Sequence, residues 1–417
     1  MNNRGWIQIS KSYTAPFQIK EEIVYFFKRL LVDSLMFFPL IVFVCFIFVR
    51  NKLVNQNNLK MLFGTHPITT FNIFKHMLET EYETTLFVFD DYSKGNFHEG
   101  ITLKDILPKY FRVKNPYFFG SYFAFFWAIK NFHIFHLYFD AGFLERTFWW
   151  RLEPLIYQLL RKKVVLYPYG TDAMTLLNNT NLSQKIGHMY FSDKYFNMDF
   201  KRFKRNYWWS KYVTLVVGFA PYIKFLPRLD VLIWHGQVAL NYQDIKVNLF
   251  DKNTKKIKIL HFANHKIRKG SYLIEKVLSE VCSTHKHVSF ECLEGVSRDE
   301  ALRKLDECDI FVDSLIDGFF QFSSLDAMIR GKVSLSFYDE EINSVFKQLN
   351  PEYYVRFLEE FPGINININN FKEKLLALIE EPDDISSLSL RSEATAKKMI
   401  EENIENYKTL INELVAS

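Results

Sequence analysis

Residues 259–270 read ILHFANHKIRKG, and this stretch decides the fold of the second half of the chain. Apolar residues that predict a buried strand are followed by a polar and basic loop, and the next residues, SYLIEKVLSEV, predict a helix. A helix start presents free backbone N–H groups and the positive end of the helix dipole. Lys269 adds a full charge there, and Gly270 allows close backbone approach. The stretch therefore predicts a phosphate site, the alternative being an ordinary helix start with solvated lysines.

The same alternation of short apolar strands and helices extends to both sides of this stretch. It predicts an α/β chain with two doubly wound parallel sheets, the second beginning after residue 251. Predicted strands lie within residues 59–67, 84–90, 132–139, 162–170, 256–263, 287–294, 308–315 and 332–337, and predicted helices include residues 145–160, 271–281, 298–307 and 391–415. The predicted domains are an N-terminal extension over 1–58, an acceptor domain over 59–245, a donor domain over 246–390, and a C-terminal helix over 391–417 that crosses back to the first domain.

A second segment, residues 308–337, carries the features of another anion site. Gly318 follows a strand, and a predicted helix start comes shortly after it. Ligands of open α/β sheets bind outside the carboxyl ends of the strands. Asp326, less than one turn into that helix, is placed to accept hydrogen bonds from two adjacent hydroxyls, as on a ribose. The alternative is an ordinary helix whose first turn carries an aspartate.

Charge and composition favour a membrane partner over a nucleic acid. Residues 1–240 carry 29 Lys and Arg against 17 Asp and Glu, whereas the remainder carries 23 against 30. Aromatic residues make up 17% of the chain, and its four cysteines have no metal-ligand spacing, which indicates free thiols in a reducing compartment. A basic, aromatic half suits an anionic membrane surface. No zinc finger, RNA-recognition motif or helix-turn-helix pattern is present.

Residues 34–49, SLMFFPLIVFVCFIFV, predict a membrane-associated helix. These 16 uncharged residues fall just short of a spanning helix, and Pro39 favours a kink. A spanning anchor, a re-entrant helix and a buried core helix are all open, and basic residues on both sides leave the orientation undecided. Residues 200–212, FKRFKRNYWWSKY, suit a headgroup layer as a basic aromatic segment, or form a solvated helix with core aromatics.

The quoted segments, with LEGVSRDEAL (293–302), resemble the donor-binding half of retaining GT-B glycosyltransferases of the bacterial polysaccharide type. The segments FHIFHLYFDAGFL and KKVVLYPYGTDAM resemble parts of the first half of that family. The resemblance implies two Rossmann-like domains facing a cleft, a nucleotide-sugar donor, no cofactor and no metal. It departs from the family pattern at Asn264, Gln321, Asp326, Tyr169 and Met174.

What the resemblance implies for individual residues is as follows. Lys269 stabilises the leaving diphosphate, and His66, His136 and Asp172 are the other candidate catalytic residues, orienting the acceptor. The implied donor-binding residues are Asn264, His265, Lys269, Gly270, Glu294, Gly318, Phe322, Ser323, Ser324 and Asp326.

The sequence thus predicts a membrane-associated glycosyltransferase that transfers a sugar to a lipid-linked or polysaccharide acceptor. Its catalytic domains are expected on the cytoplasmic side, where nucleotide sugars are made. The alternative is a non-catalytic GT-B protein that binds a nucleotide sugar or a partner enzyme, and a third possibility is a sugar-nucleotide epimerase.

Overall fold

The structure is a computed structural model. It describes residues 19–53, 59–89, 100–107, 117–140, 142–191, 193–233, 242–251, 253, 256–263, 266–359 and 361–417. The predicted donor-binding residues Asn264 and His265 lie outside these ranges.

The described residues form two units with separate sheets. The N-terminal unit comprises residues 19–178 and 198–233, and the C-terminal unit comprises residues 179–191, 193–197 and the described part of 242–417. The second unit therefore takes residues 179–197 from within the predicted acceptor domain.

The N-terminal unit is built on a parallel sheet. Its strands are β1 (Lys60–Thr65), β2 (Glu83–Val88), β3 (Ile101–Thr102), β4 (Ile134–Tyr138), β5 (Lys163–Tyr167), β6 (Leu215–Phe219) and β7 (Val231–Ile233). They lie in the order β3-β2-β1-β4-β5-β6-β7. Because β1, β4 and β5 are buried almost throughout, they consist of continuous apolar runs, as strands covered on both faces must.

Helices flank this sheet. They are α1 (Ile19–Leu53), α2 (Thr69–Leu78), α3 (Leu103–Ile106), α4 (Tyr117–Asn131), α5 (Leu152–Leu159) and α7 (Asp193–Tyr212, mostly in this unit). Helix α6 (Leu182–Phe191) lies between α5 and α7 in the sequence but belongs to the C-terminal unit. The predicted helix over 145–160 is too long, because helix α5 begins only at Leu152. Buried carboxyl groups bind the backbone N–H groups upstream: Asp33 accepts from Phe148, and Glu153 accepts from Phe143 and Leu144.

Helix α1 is twice as long as the apolar run that predicts it. One face packs into the core of the N-terminal unit through Val32, Leu40, Val44 and Ile47. Within the described residues it is the one helix long and apolar enough to cross a membrane, and 28% of its apolar window is buried. The alternative of a buried core helix thus explains only the face of α1 that packs against the N-terminal unit.

The C-terminal unit contains a second parallel sheet. Its strands are β8 (Ile257–Ala263), β9 (Val288–Glu294), β10 (Ile310–Val312), β11 (Val333–Ser336) and β12 (Ile364–Asn365), in the order β12-β11-β10-β8-β9. The predicted strands of this half are confirmed. The central position of β8 and β10 brings the loops that follow them to one edge of the sheet.

The helices of this unit are α8 (Lys266–Lys269), α9 (Ser271–Thr284), α10 (Arg298–Glu307), α11 (Phe322–Met328), α12 (Glu340–Leu349), α13 (Pro351–Tyr353), α14 (Phe371–Glu380) and α15 (Pro382–Ala416). Helix α15 starts earlier than residue 391, because Pro382 is preorganised for a first helical turn. Its Ser389 hydroxyl lies against the Gly331 carbonyl, in the same unit. The predicted return of residues 391–417 to the first domain stays a prediction.

Candidate functional site

After β8 and two residues outside the described ranges, the chain forms one turn of helix, Lys266–Lys269, followed by a glycine. Gly270 has a φ of 78°, and a Cβ there would lie 3.3 Å from the Cβ of Leu315. Both the left-handed backbone and the close packing require glycine at this position. The turn sets Lys269 immediately before helix α9.

Lys269 is held by a buried carboxylate rather than projecting freely. Its ammonium donates to Asp313, the residue that directly follows β10, and lies 3.3 Å from the Ser323 hydroxyl. Asp313 is fully buried, whereas the Lys269 side chain is 17% exposed. Burial acts to raise the pKa of Asp313, but the charge of Lys269 and several hydrogen bonds hold it below its usual range. The carboxyl group of Asp313 is therefore ionised.

Asp313 also fixes the start of helix α11. Its Oδ2 accepts from the Gln321 N–H at 3.0 Å and the Ser324 hydroxyl at 2.7 Å, and its Oδ1 accepts from the Ser323 hydroxyl at 2.8 Å. The Ser324 N–H is bonded to the Gln321 carbonyl. The predicted donor-binding residues Lys269, Ser323 and Ser324 are thus brought together by a residue that the sequence analysis missed. Because Asp313 ends a strand, the strand-end rule could have identified it.

Gly318 and Phe322 border this arrangement. Gly318 has a φ of 80°, and its carbonyl accepts from the Asp339 N–H at 2.8 Å. The Phe322 ring lies 4.3 Å below the guanidinium of Arg298. Glu294 ends β9 with a half-exposed side chain, 3.7 Å from the Lys266 ammonium.

Asp326 has a separate set of partners. Its Oδ2 accepts from Arg298 at 2.9 Å, and Arg330 lies 3.8 Å from Oδ1 and donates to the Asp326 carbonyl. Burial raises the pKa of this carboxyl, while the two arginines act against the shift. The group predicted to accept ribose hydroxyls is therefore 3% exposed and already paired, and Arg298 is the more exposed partner.

A second polar cluster lies where β1, β4 and β5 of the N-terminal unit end. His66 follows β1, and its Nε2 lies 3.2 Å from the carbonyl and 3.5 Å from the carboxylate of Asp140, which follows β4. The Tyr169 hydroxyl, after β5, donates to the other Asp140 oxygen at 2.9 Å. His66 and Asp140 are both about one-fifth exposed. A partly exposed imidazole oriented by a carboxylate suits the binding of a hydroxyl group.

Asp172 is buried next to this cluster and binds the backbone of its loops. It accepts from the N–H groups of Tyr169 and Gly170, and is 3.3 Å from that of Phe139. Burial, and next the charge of Asp140, raise the pKa of Asp172 to about 7. The Asp172 carboxyl is 1% exposed and contacts the backbone just after β4 and β5. It therefore holds in place the loops that carry Asp140 and Tyr169, on which the position of His66 depends.

The remaining candidate, His136, is not part of the cluster surface. It is fully buried within β4, stacked 4.2 Å from the Phe63 ring, with Nδ1 3.0 Å from the Tyr167 hydroxyl. Burial lowers its pKa to about 3, so the ring is neutral. Among the described residues, no group of three or more His, Cys, Asp and Glu is arranged to hold a metal ion.

No protein-family model and no curated protein matches the chain. Among solved structures, it is similar to sucrose-phosphate synthase from Thermosynechococcus elongatus, with 10% identity and a TM-score of 0.54 over 86% of this chain and all of that one. The chain has the GT-B fold. Weaker GT-B matches include the MnaA–UDP complex of S. aureus, with 11% identity and a TM-score of 0.43 over 86% and 98% of the two chains. Another is a putative UDP-N-acetylglucosamine 2-epimerase from Listeria monocytogenes, with 10% identity and a TM-score of 0.43 over 83% and 95%.

Proposed function

We propose that this protein is a membrane-associated, retaining glycosyltransferase that moves a sugar from a nucleotide-sugar donor to a lipid-linked or polysaccharide acceptor without a metal ion. The observation that carries the proposal is the ammonium of Lys269, held at the carboxyl edge of the C-terminal sheet beside the start of α11. Lysine at such an edge is suited to a phosphate group. The GT-B fold and the resemblance of the quoted motifs support the same reaction class.

In the proposed mechanism, the enzyme acts through fixed charge. Lys269 uses one donor on Asp313, and a further N–H stabilises the negative charge that develops on the leaving diphosphate. The acceptor hydroxyl binds at His66, whose ring is oriented by Asp140, and its proton passes to the leaving phosphate oxygen. The glycosidic bond to the acceptor forms on the face from which the diphosphate departs, which retains the anomeric configuration. We place this reaction on the cytoplasmic side, the source of nucleotide sugars.

One observation favours the non-catalytic alternative. Asp313 neutralises the charge of Lys269, and Asp326 is occupied by Arg298 and Arg330. A site whose charges are paired internally offers less attraction to a diphosphate. A protein that binds nucleotide sugars without turnover, or binds a partner enzyme, is consistent with that pairing.

A ligand panel followed by a turnover assay tests the proposal. Binding to the folded state raises its apparent stability, so UDP-, GDP-, ADP- and CMP-sugars are compared by thermal shift. The stabilising donor is then incubated with the full-length protein and membrane extract, and free nucleotide and sugar transfer are measured. Release of nucleotide coupled to transfer supports the enzyme, whereas binding without release supports the alternative. No stabilisation by any donor would contradict the enzyme and the nucleotide-sugar-binding form of the alternative, and would leave the form that binds a partner enzyme.

A further inference from the structure

The outward face of helix α1 is a continuous apolar surface. Its exposed large side chains are Ile23, Val24, Tyr25, Phe26, Phe27, Leu30, Leu31, Leu35, Phe37, Phe38, Ile41, Val42, Phe46, Val49 and Leu53. No exposed charge interrupts it between Lys28 and Arg50, because Arg29 and Asp33 are buried as an ion pair 2.5 Å apart. Apolar patches of this extent on a folded protein mark contact with a membrane or another protein.

The opposite face of α1 is fastened to the N-terminal unit near both ends. At one end, Arg29 donates to the Phe118 carbonyl at 3.2 Å, and Asp33 accepts from the Tyr122 hydroxyl at 2.7 Å. At the other end, Arg50 donates to the Lys130 carbonyl at 2.9 Å. These fastenings are about 30 Å apart along the helix axis, at 1.5 Å per residue. This distance equals the hydrocarbon thickness of a bilayer.

This fastening is incompatible with a helix that crosses the bilayer. A crossing α1 would carry the helix packed beside it, α4, into the hydrocarbon. Helix α4 has 15 residues, too few to span, and continues into a loop and a strand. Loop backbone with polar groups is excluded from lipid. The helix must therefore lie along the unit surface, with one face toward the protein.

The surroundings of this face indicate which partner covers it. The segment 146–151 lies beside α1, with the Phe148 ring 5.4 Å from Phe26 and the Trp149 ring 4.5 Å from Phe37. Phe148 is exposed, and exposed Arg146 and Arg151 flank these aromatics. Lys52 lies 4.5 Å from the Phe48 ring at the far end. Aromatic rings and cations around an apolar band match the interface of an anionic bilayer.

A second copy of the chain fits this face less well. Protein interfaces carry about one hydrogen bond per 100–200 Å². Along residues 34–49, the exposed face has two side chains that could form a hydrogen bond, the Ser34 hydroxyl and the weakly bonding Cys45 thiol. Lipid chains require no such bonds.

We propose that α1 is an in-plane lipid-binding helix, which rests the N-terminal unit on an anionic membrane surface and does not cross it. This inference specifies the membrane partner of the proposed function, and its test needs neither donor nor acceptor.

The decisive experiment is one-sided labelling of the two helix ends. Lys28→Cys and Lys52→Cys are introduced separately into the full-length chain with Cys45→Ser. Sealed vesicles with the cytoplasmic face outward are treated with an impermeant maleimide, and each peptide is quantified by mass spectrometry. We expect both positions to be labelled to the same extent with and without detergent. Labelling of one end only until detergent is added would overturn the inference in favour of a spanning helix.

A second measurement tests the lipid-facing side chains. Phe38→Glu with Phe46→Glu is compared with Leu349→Glu and Val355→Glu, which alter exposed apolar residues of the C-terminal unit by the same chemistry. Far-UV circular dichroism verifies that each variant is folded. We expect the α1 variant to lose at least tenfold in affinity for phosphatidylglycerol-containing vesicles, and the control to bind like the native chain. Equal binding of all three proteins would overturn the proposed surface, as would native protein that binds no vesicles and self-associates through α1. Donor-induced thermal shifts, measured in parallel, report on the glycosyltransferase proposal separately.

Discussion

Lys269 and Asp313 form an ion pair in which the carboxylate is wholly buried and the ammonium remains partly accessible. Asp313 follows β10 and Lys269 precedes α9, so the pair links the loops after two neighbouring strands. A substitution at Lys269 therefore alters both the stability of the C-terminal unit and any ligand contact.

A double variant separates these two effects. Lys269→Met alone leaves a buried carboxylate unpaired, and we expect the free energy of unfolding to fall by about 3–5 kcal/mol in urea titrations. Adding Asp313→Asn should recover most of that loss. If Lys269 contacts phosphate, the double variant should still bind the stabilising nucleotide more weakly, by about 1.5–3 kcal/mol in calorimetry. Native affinity in the double variant would remove Lys269 from the donor site.

Substitution of Asp326 should lower the free energy of unfolding, whether or not it also lowers nucleotide affinity. Asp326→Asn removes the carboxylate that Arg330 and Arg298 share, and we expect a loss of about 3 kcal/mol in the free energy of unfolding. Arg298→Gln serves as the control: because its side chain is one-third exposed, it should cost less than about 1 kcal/mol. A role in ribose binding would appear as a smaller affinity difference between the nucleotide and its 2′,3′-dideoxy analogue in Asp326→Asn. An unchanged difference would argue against that role.

The His66–Asp140 contact should affect turnover but not donor affinity. His66→Asn removes the imidazole at the proposed acceptor position, and we expect transfer to fall on the order of 100-fold through lost orientation. Tyr169→Phe removes one bond to Asp140 and should have a smaller effect in the same direction. Initial-rate assays measure sugar transfer, and calorimetry measures nucleotide affinity. Native transfer rates in His66→Asn would contradict the acceptor assignment.

Acid should destabilise the protein through its buried histidines. Burial lowers the pKa of His136 to about 3 and that of His261 to about 4, below the unfolded value of 6.5. Their contribution to stability is therefore complete above pH 6.5 and is lost as the pH falls toward these values. The raised pKa values of Asp172, about 7, and Glu153, about 8, act in the opposite sense, adding stability as the pH falls.

Comparison with one histidine variant isolates this effect. The carboxyls titrate in both proteins, so the unfolding free energy of His136→Gln should decline less between pH 6.5 and 4 than that of the native chain. Urea unfolding at several pH values provides the measurement. Parallel pH profiles would indicate that His136 is not kept neutral by burial.

Removal of residues 1–54 should be damaging rather than neutral. It would expose the core side of α4 and deprive the Tyr122 hydroxyl and the Phe148 N–H of Asp33. We expect the shortened protein to be less soluble and to unfold at lower urea concentration. Recovery of a stable shortened protein would contradict the packing of α1.

The full-length protein should stay with membranes after a high-salt wash, because burial of apolar surface is insensitive to salt screening.

The sequence predicted the strands well and the contacts among polar residues poorly, for a physical reason. Strands such as β1 and β8 are buried on both faces, so their continuous apolar runs are visible without a partner. The pairing of Asp313 with Lys269 joins residues 44 positions apart and arises only when the strands align. The extent of α1 was underestimated because Arg29 and Asp33, which neutralise each other inside the fold, look in sequence like the end of an apolar run. Strands β3, β6, β7 and β12 were not predicted. Strands β3 and β12 have two residues each and carry too little pattern to detect, and β6 and β7 are short runs close to the region interpreted as the junction of the two halves.

Helix α6 limits how this protein can be divided or recombined. It belongs to the C-terminal unit, where the Gln184 amide donates to the Asp317 carbonyl and a Cβ at Gly187 would lie 3.7 Å from the Cα of Arg268. The residues on either side of segment 179–197, however, belong to the other unit, so the described part of the polypeptide passes between the units three times. A chimera made by one splice near residue 245 would pair a foreign C-terminal half with the native α6. Exchange of the whole C-terminal unit between proteins of this fold therefore requires transplanting residues 179–197 together with the C-terminal half.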